Sequence, residues 1–188
     1  MKEITPAQRI DNIDYAIREV VVIADEVKQT GKDMIYLNIG DPNIFGFAPP
    51  QHMIDAVHQA MLDNHNGYSA SSGIGEARDA IRRQAERSRI RNIQDIIVTM
   101  GASEGIELAL TGLLNPGDNV LLPFPGYPLY TSLMGKISAV TNPYYLNEED
   151  DWNLDVADIE SRINDRTKGI VIINPNNPTG AVYPKETL

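Results

Sequence analysis

The sequence predicts an α/β fold built on a three-layer, mostly parallel sheet. From residue 95 onward, short apolar runs alternate with helical stretches, which is the pattern of parallel βα units. The run Gly169–Ile173 is continuously apolar, as expected of a strand covered by helices on both faces. Small-residue or proline turns follow the apolar runs, at the sheet edge where such folds bind their ligands.

The composition fits one good-sized domain, or one domain with a small appendage. The chain has 188 residues, 42% of them hydrophobic, and a formal net charge of −10. This acidic balance argues against nucleic acid or an anionic membrane surface as a partner. No apolar run approaches the roughly 18 residues of a membrane span, and no secretory signal is visible. The chain has no cysteine, which excludes disulfides and thiolate chemistry. We therefore expect a cytoplasmic protein.

The first part of the chain is predicted to be mainly helical. A long helix over residues 5–30 would start at a capping box, Thr5-Pro6-Ala7-Gln8, and end at Gly31. The other predicted elements are a short strand at 34–39, a Gly- and Pro-rich loop to residue 50, helices at 51–62 and 76–88, and a small-residue loop between these helices.

The second part of the chain carries the predicted sheet. Strands are expected at 96–100, 119–122, 139–141 and 169–173, and helices from Ser103 to about 114, from 125 to 133 and from 154 to about 163.

The run from Ile96 to Leu108 is predicted as a strand, a tight turn at Gly101-Ala102, and a helix capped by Ser103. The free N–H groups and the dipole of such a helix suit a phosphate or a carboxylate. An ordinary βα connection accounts for this run equally well. It is not Gly-x-Gly-x-x-Gly and lacks the ending of a nucleotide P-loop, so neither a dinucleotide nor ATP is favoured.

Three turns are expected at the carboxyl ends of the strands. Gly101–Ser103 offers phosphate donors, Pro123–Tyr127 offers an aromatic ring, and Asn174–Gly180 offers an amide side chain on a proline-braced turn. Together they predict a pocket for a flat, polar, phosphorylated ring.

The run Asn-Pro-Asn-Asn-Pro-Thr-Gly at 174–180 resembles a turn of the fold-type I, pyridoxal-phosphate-dependent aminotransferases of the aspartate aminotransferase superfamily. Four further motifs resemble that family in the same order: 37–42, Tyr68 with 72–74 and Arg78, 101–104, and 125–130. Two other segments, 15–19 and 149–152, are most similar to alanine aminotransferases and their archaeal relatives. The resemblance covers nearly the whole chain and implies the family's large domain, incomplete here.

The resemblance also implies roles for individual residues. Gly101, Ala102 and Ser103 would hold the phosphate of pyridoxal 5′-phosphate, and Tyr127 would stack on its pyridine ring. Asn177 would donate to the phenolic oxygen of that ring. Simple packing of the tyrosines and simple turn chemistry of Asn177 are the alternatives.

Two further roles concern the substrate and the assembly. Gly40 would lie near the substrate carboxylate. Tyr68 would reach the phosphate of the neighbouring subunit, which implies a homodimer. The substrates would be an L-amino acid, with alanine or aspartate as the first expectation, and a 2-oxo acid.

The family's Schiff-base lysine, its aspartate on the pyridine nitrogen and its carboxylate-binding arginine all follow the Asn-Pro-Thr-Gly turn. No lysine of this chain matches that order, so no catalytic residue is assigned. The chain is therefore expected to be the N-terminal half of the enzyme and to be inactive alone. Residues 1–47 would be a small-domain helix with the substrate loop, and residues 48–188 the truncated large domain.

Three alternatives stay open at this point. They are a β-lyase or cyclopropane-carboxylate synthase on the same fold, a non-catalytic ligand-binding module, and an unrelated phosphate-binding α/β protein. The spacing of His52, His58 and His65 does not favour a metal site.

Overall fold

A computed structural model describes residues 4–8, 10, 13, 16–38 and 40–188. The chain forms two compact units, one of residues 1–34 with 103–188 and one of residues 35–102. The domain boundary expected at residue 47 stays a prediction. Among the described residues, no helix combines the length and the apolar character that crossing a membrane requires.

The larger unit is built on a four-stranded sheet with the order β3-β2-β1-β4. Its strands are β1 (Asn119–Phe124), β2 (Val140–Asn147), β3 (Asn153–Leu154) and β4 (Thr167–Ile170). The central strand β1 pairs in parallel with β2 and with β4, and only the short β3 runs antiparallel to its neighbour. The predicted mostly parallel sheet is thus confirmed.

Strand β1 contributes to a buried cluster on each face of the sheet, because its successive side chains point to opposite faces. Val120 and Leu122 pack in one buried cluster with residues of the helices α4 (Gly101–Leu113) and α5 (Leu129–Lys136). Leu121 belongs to a second cluster, against which Ile159 of the helix α6 (Val156–Arg162) packs. Helices therefore cover both faces of β1, as the three-layer prediction requires.

A buried polar network fixes the amino-terminal ends of the parallel strands. Asn119 is 5% exposed, and its amide donates to Asn164 Oδ1 at 3.0 Å. Its own Oδ1 accepts from Asn142 on β2 at 3.2 Å and from Thr167 Oγ1 on β4 at 2.9 Å. A buried amide with these partners is satisfied, so it can specify the strand register without a large desolvation cost.

The remaining helices are α1 (Ala16–Gln29), α2 (Gln51–Leu62) and α3 (Gly75–Arg87). The bounds of α2 are those predicted, and those of α3 differ by one residue at each end. Helix α1 ends before Gly31, whose φ of 83° is left-handed, as a C-terminal glycine requires.

The predicted start of the first helix is wrong. The described residues 4–7 are irregular, so no helix begins at Thr5, and Ile10 N donates to Ala7 O. Positions 9, 11, 12, 14 and 15 lie outside the described residues, and Tyr15 of the segment similar to alanine aminotransferases is among them. Helix α5 likewise starts at Leu129, after Pro128, rather than at residue 125.

Three strand predictions also need correction. Residues 34–38 and 96–100 form no strand, although position 39 lies outside the description. Within this second run, Val98 N donates to Ser72 O, and Ile97 and Met100 remain exposed. The last strand ends at Ile170 instead of 173, and Ile170 and Ile172 are each 43% exposed. Strand formation depends on a partner strand, which local apolar character does not supply.

Candidate functional site

The amino-terminal turn of α4 presents Gly101, Ala102 and Ser103 at the surface. Gly101 has a φ of 75°, and its N–H donates to Thr99 O at 2.9 Å. The helix starts at Gly101, so the prediction of Ser103 as the N-cap is wrong, and Ser103 lies in the first turn. First-turn N–H groups have no acceptor within their own helix, and the dipole of a 13-residue helix adds positive potential there.

The connection after β1 packs Gly126 against the backbone of Pro123 and leads to Tyr127. A Cβ atom on Gly126 would lie 2.2 Å from Pro123 O, so only glycine fits this approach. The Tyr127 ring is partly buried and meets Tyr130 edge to face, with 6.4 Å between the ring centroids. These two tyrosines and Thr131 help to line a cavity of about 120 Å³.

The turn after β4 holds two neighbouring asparagines in opposite environments. Asn176 is 4% exposed, whereas Asn177 lies at the surface. The N–H of Asn176 donates to Ala181 O and its carbonyl oxygen accepts from Gly180 N, both at 2.8 Å. The turn is thus closed through Asn176, and Asn177 projects from it.

Tyr127 and Asn177 follow strands that are parallel neighbours in the sheet. Tyr127 comes soon after β1 ends at Phe124, and Asn177 lies in the connection that follows β4. Parallel neighbours end at the same edge of a sheet, so both connections leave the edge at which α/β folds bind ligands. The structure therefore supports the predicted placement of these two turns.

Gly40 and Tyr68 belong to the smaller unit. Gly40 is exposed and lines a cavity of about 390 Å³ with Asp41, Pro42, Phe45 and Phe47. Asp41 caps the short 3₁₀ turn Pro42–Phe45 by accepting from Asn43 N at 3.0 Å. The Tyr68 side chain is fully exposed.

Arg78 of the same motif has a structural partner. Its Nε donates to Ile96 O at 2.9 Å, and its guanidinium forms an ion pair with Asp95. The Ile96 N–H and the Arg78 charge lower the pKa of the Asp95 carboxyl. Arg78 thus fastens residues 95–96 to α3.

Two features of the site escaped sequence reasoning. The close approach of Gly126 to Pro123 O was not predicted, although the pattern Pro-x-Pro-Gly around Gly126 indicates a tight turn. The burial of Asn176 was also hidden, because adjacent asparagines in a turn give no sign of which one points inward.

Lysines that could be considered as substitutes for the missing one are already engaged. Lys136 pairs with Glu107. Lys168 Nζ lies 3.8 Å from Asp118 Oδ1.

Comparisons with known proteins identify the family. The sequence pattern described as Aminotransferase class I and II matches residues 32–188. The chain belongs to this family, whose cofactor is pyridoxal 5′-phosphate.

The similar proteins are named as alanine and related aminotransferases. Glutamate-pyruvate aminotransferase AlaA of Escherichia coli K12 is 42% identical over 192 residues, covering 100% of this chain and 47% of the relative. Alanine aminotransferase of Mycobacterium tuberculosis H37Rv is 40% identical, covering 96% and 43%. The solved alanine aminotransferase of Pyrococcus furiosus superposes with a TM-score of 0.91 at 43% identity, covering 97% and 47%. The chain thus spans about half the length of the relatives it matches.

The residues present fit the family's cofactor in three respects. An exposed helix terminus suits a phosphate, and the partly buried Tyr127 ring borders a cavity. The exposed Asn177 amide is available as a donor.

Proposed function

We propose that the whole protein is a pyridoxal-phosphate-dependent aminotransferase and that these 188 residues are its N-terminal half. It would transfer an amino group between an L-amino acid, alanine or aspartate first, and a 2-oxo acid. The observation that carries this proposal is the pair of connections after β1 and β4, which bring Tyr127 and Asn177 to one sheet edge in a chain of this family.

The role proposed for each residue follows from the chemistry of its side chain or backbone groups. The backbone N–H groups of Ala102 and Ser103, with the Ser103 hydroxyl, would hold the phosphate, and Gly101 would give the turn its left-handed bend. Tyr127 would orient the cofactor ring through flat apolar contact. Asn177 would donate to the phenolic oxygen and stabilise its ionised form. When bound, the cofactor supplies an electron sink for negative charge at the substrate α-carbon.

Gly40 would lie beside the substrate carboxylate. It has no side chain to block that approach, and an added Cβ would meet no atom within 4 Å of this chain. The space beside Gly40 is therefore open and leaves room for a ligand. Residues 1–47 would form the small-domain helix with this loop, and residues 48–188 part of the large domain.

The fully exposed Tyr68 supports a homodimer in which its hydroxyl reaches the phosphate of the neighbouring subunit. An exposed tyrosine is a common interface residue, because its ring is apolar and its hydroxyl can bind a polar group. We also propose a cytoplasmic location, for which the lack of cysteine is the supporting observation.

A coupled assay tests the activity. The whole protein, supplied with pyridoxal 5′-phosphate, L-alanine and 2-oxoglutarate, is expected to form pyruvate and glutamate in equal amounts. A β-lyase acts on an amino acid with a leaving group at the β-carbon, so release of pyruvate and ammonia from β-chloro-L-alanine, with no glutamate formed from L-alanine, would contradict the proposal. The 188-residue chain assayed in parallel is expected to be inactive, because it lacks the family's lysine.

A further inference from the structure

The proline-braced turn is fastened at several points, and none of these involves the Asn177 side chain. Asn174 Oδ1 accepts from Tyr183 N at 3.1 Å. Asn176 Oδ1 accepts from the N–H of Thr179 at 3.1 Å and from its hydroxyl at 2.9 Å. The side chain of Asn176 therefore ties the residue before Asn177 to a residue just beyond it.

Asn176 and Tyr183 are buried together with unmet polar groups. Tyr183 is 3% exposed and packs in the cluster with Leu121 and Tyr144. Asn176 Nδ2 and the Tyr183 hydroxyl make no hydrogen bond of normal length within the described part of the chain. Burial raises the pKa of Tyr183.

The orientation of the Asn176 amide follows from Thr179. Because the Thr179 N–H needs an acceptor, the oxygen of the Asn176 amide must face it and the nitrogen must face the interior. An unmet buried donor has a free-energy cost. A buried donor without a partner therefore calls for a reason beyond packing.

We propose that Asn176 is a positioning residue that sets the direction of the Asn177 side chain toward the cofactor ring. This inference rests on the proposed function. The Asn176 side chain is buried, and its oxygen accepts two hydrogen bonds from Thr179. Asn177 is thereby held between two cross-linked residues and needs no hydrogen bond of its own to be oriented.

Removal of this side chain would loosen the turn without opening it. In Asn176→Ala the two backbone hydrogen bonds to Gly180 and Ala181 remain, whereas both bonds to Thr179 are lost. Asn176→Asp keeps an oxygen that can accept from the N–H and the hydroxyl of Thr179. The aspartate variant is therefore the conservative rescue.

A double-mutant cycle tests the proposal in the whole protein. The dissociation constant of pyridoxal 5′-phosphate is measured by titration into the apo-protein for Asn176→Ala, Asn177→Ala and the double variant. Each single change is expected to weaken binding about tenfold, as the loss of a charge-assisted hydrogen bond does. The double variant is expected to match Asn177→Ala, because Asn176 would act only through Asn177.

A second readout needs no cofactor. Hydrogen exchange of the apo-protein is expected to be faster at the Thr179 amide in Asn176→Ala, unchanged in β1, and restored in Asn176→Asp. If Asn176→Ala does not fold, Thr179→Val removes one of the same hydrogen bonds from the other side. It is likewise expected to weaken cofactor binding only when Asn177 is present.

The outcomes distinguish the proposed role of Asn177 from that of Asn176. Unchanged cofactor binding in Asn177→Ala would overturn the role proposed for that residue. Weaker binding in Asn177→Ala, with either no effect of Asn176→Ala or an additive loss in the double variant, would overturn the positioning role alone.

Discussion

Tyr144 donates its hydroxyl to the carbonyl oxygen of Val171 at 2.8 Å. Tyr144 lies on β2 and Val171 follows β4, and these two strands flank β1. The hydrogen bond therefore joins the chain on both sides of the central strand. Val171 N also donates to Leu121 O on β1, so the segment that leads into the asparagine turn is fixed at two points.

The first prediction concerns this hydrogen bond. Tyr144→Phe is expected to lower the free energy of unfolding by about 1 kcal/mol, because the carbonyl loses its donor at a site with no solvent access. Urea denaturation measures the change. Tyr145→Phe is the matched control, since Tyr145 is 49% exposed and keeps its ring contact with Phe124. Equal stability of the two variants would contradict the assignment.

The second prediction concerns the close approach at Gly126. Gly126→Ala is expected to cost about 1–3 kcal/mol, because the new methyl group would lie 2.2 Å from a backbone oxygen and the backbone must shift. The shift would also displace Tyr127 and weaken cofactor binding. Chemical denaturation and cofactor titration measure the two effects.

Gly112→Ala provides the control for this substitution. It lies in α4 with open space around the added methyl group, and alanine is favoured over glycine in a helix by up to about 1 kcal/mol. It should leave stability unchanged or raised. A Gly126→Ala variant as stable as this control would contradict the close approach of residue 126 to Pro123 O.

The third prediction is a pH dependence at Asp158. Its carboxylate accepts from Arg162 Nε and from Tyr145 N, and the bond from Arg162 is the largest cause of its lowered pKa. A lowered folded-state pKa gives stability that is present above the ordinary value of 3.8 and is lost as pH falls through the folded pKa.

Thermal unfolding of the parent and of Asp158→Asn measures this dependence. The parent should have the higher Tm near neutral pH, and the difference should shrink as pH falls below about 4. Glu160→Gln, an exposed change on the same helix, should follow the parent. A Tm difference that stays constant into the acid range would count against the ion pair as its source.

The fourth prediction tests the role of Tyr68 between subunits. Tyr68→Phe and Ser103→Ala are each expected to weaken cofactor binding. If Tyr68 serves the neighbouring site, a mixed dimer of the two variants contains one intact site and one doubly defective site. Random mixing should then restore roughly a quarter of the sites to full affinity. Failure of mixing to restore any site would place Tyr68 in its own subunit's site or outside the site altogether.

Local signals predicted part of the fold well. The helices α2 and α3 and the capped helix α6 depend on nearby turns and helical spacing, and their predicted bounds hold within a residue or two. The left-handed Gly31 after α1 was likewise visible in sequence. These features depend on a few neighbouring residues, which is why one sequence suffices.

Non-local features were harder to predict. Residues 96–100 have strong β character, but a strand needs a partner ladder, and these residues form no strand in the structure. Strand β3 was not predicted because it has only two residues, and they form a strand only by pairing with the end of β2. In the site, the residue types of the three turns were predicted, whereas the burial of Asn176 beside Tyr183 depends on tertiary packing.

A single-turnover experiment tests the proposed amino-group transfer. The whole protein, loaded with pyridoxal 5′-phosphate, is mixed with L-alanine and no 2-oxo acid, and pyruvate and ammonia are measured. An aminotransferase should form about one pyruvate per subunit without ammonia, then stop until 2-oxoglutarate is added. Failure to form the matching 2-oxo acid from alanine, from aspartate and from an aromatic amino acid would contradict the account, as would no further pyruvate after 2-oxoglutarate is added.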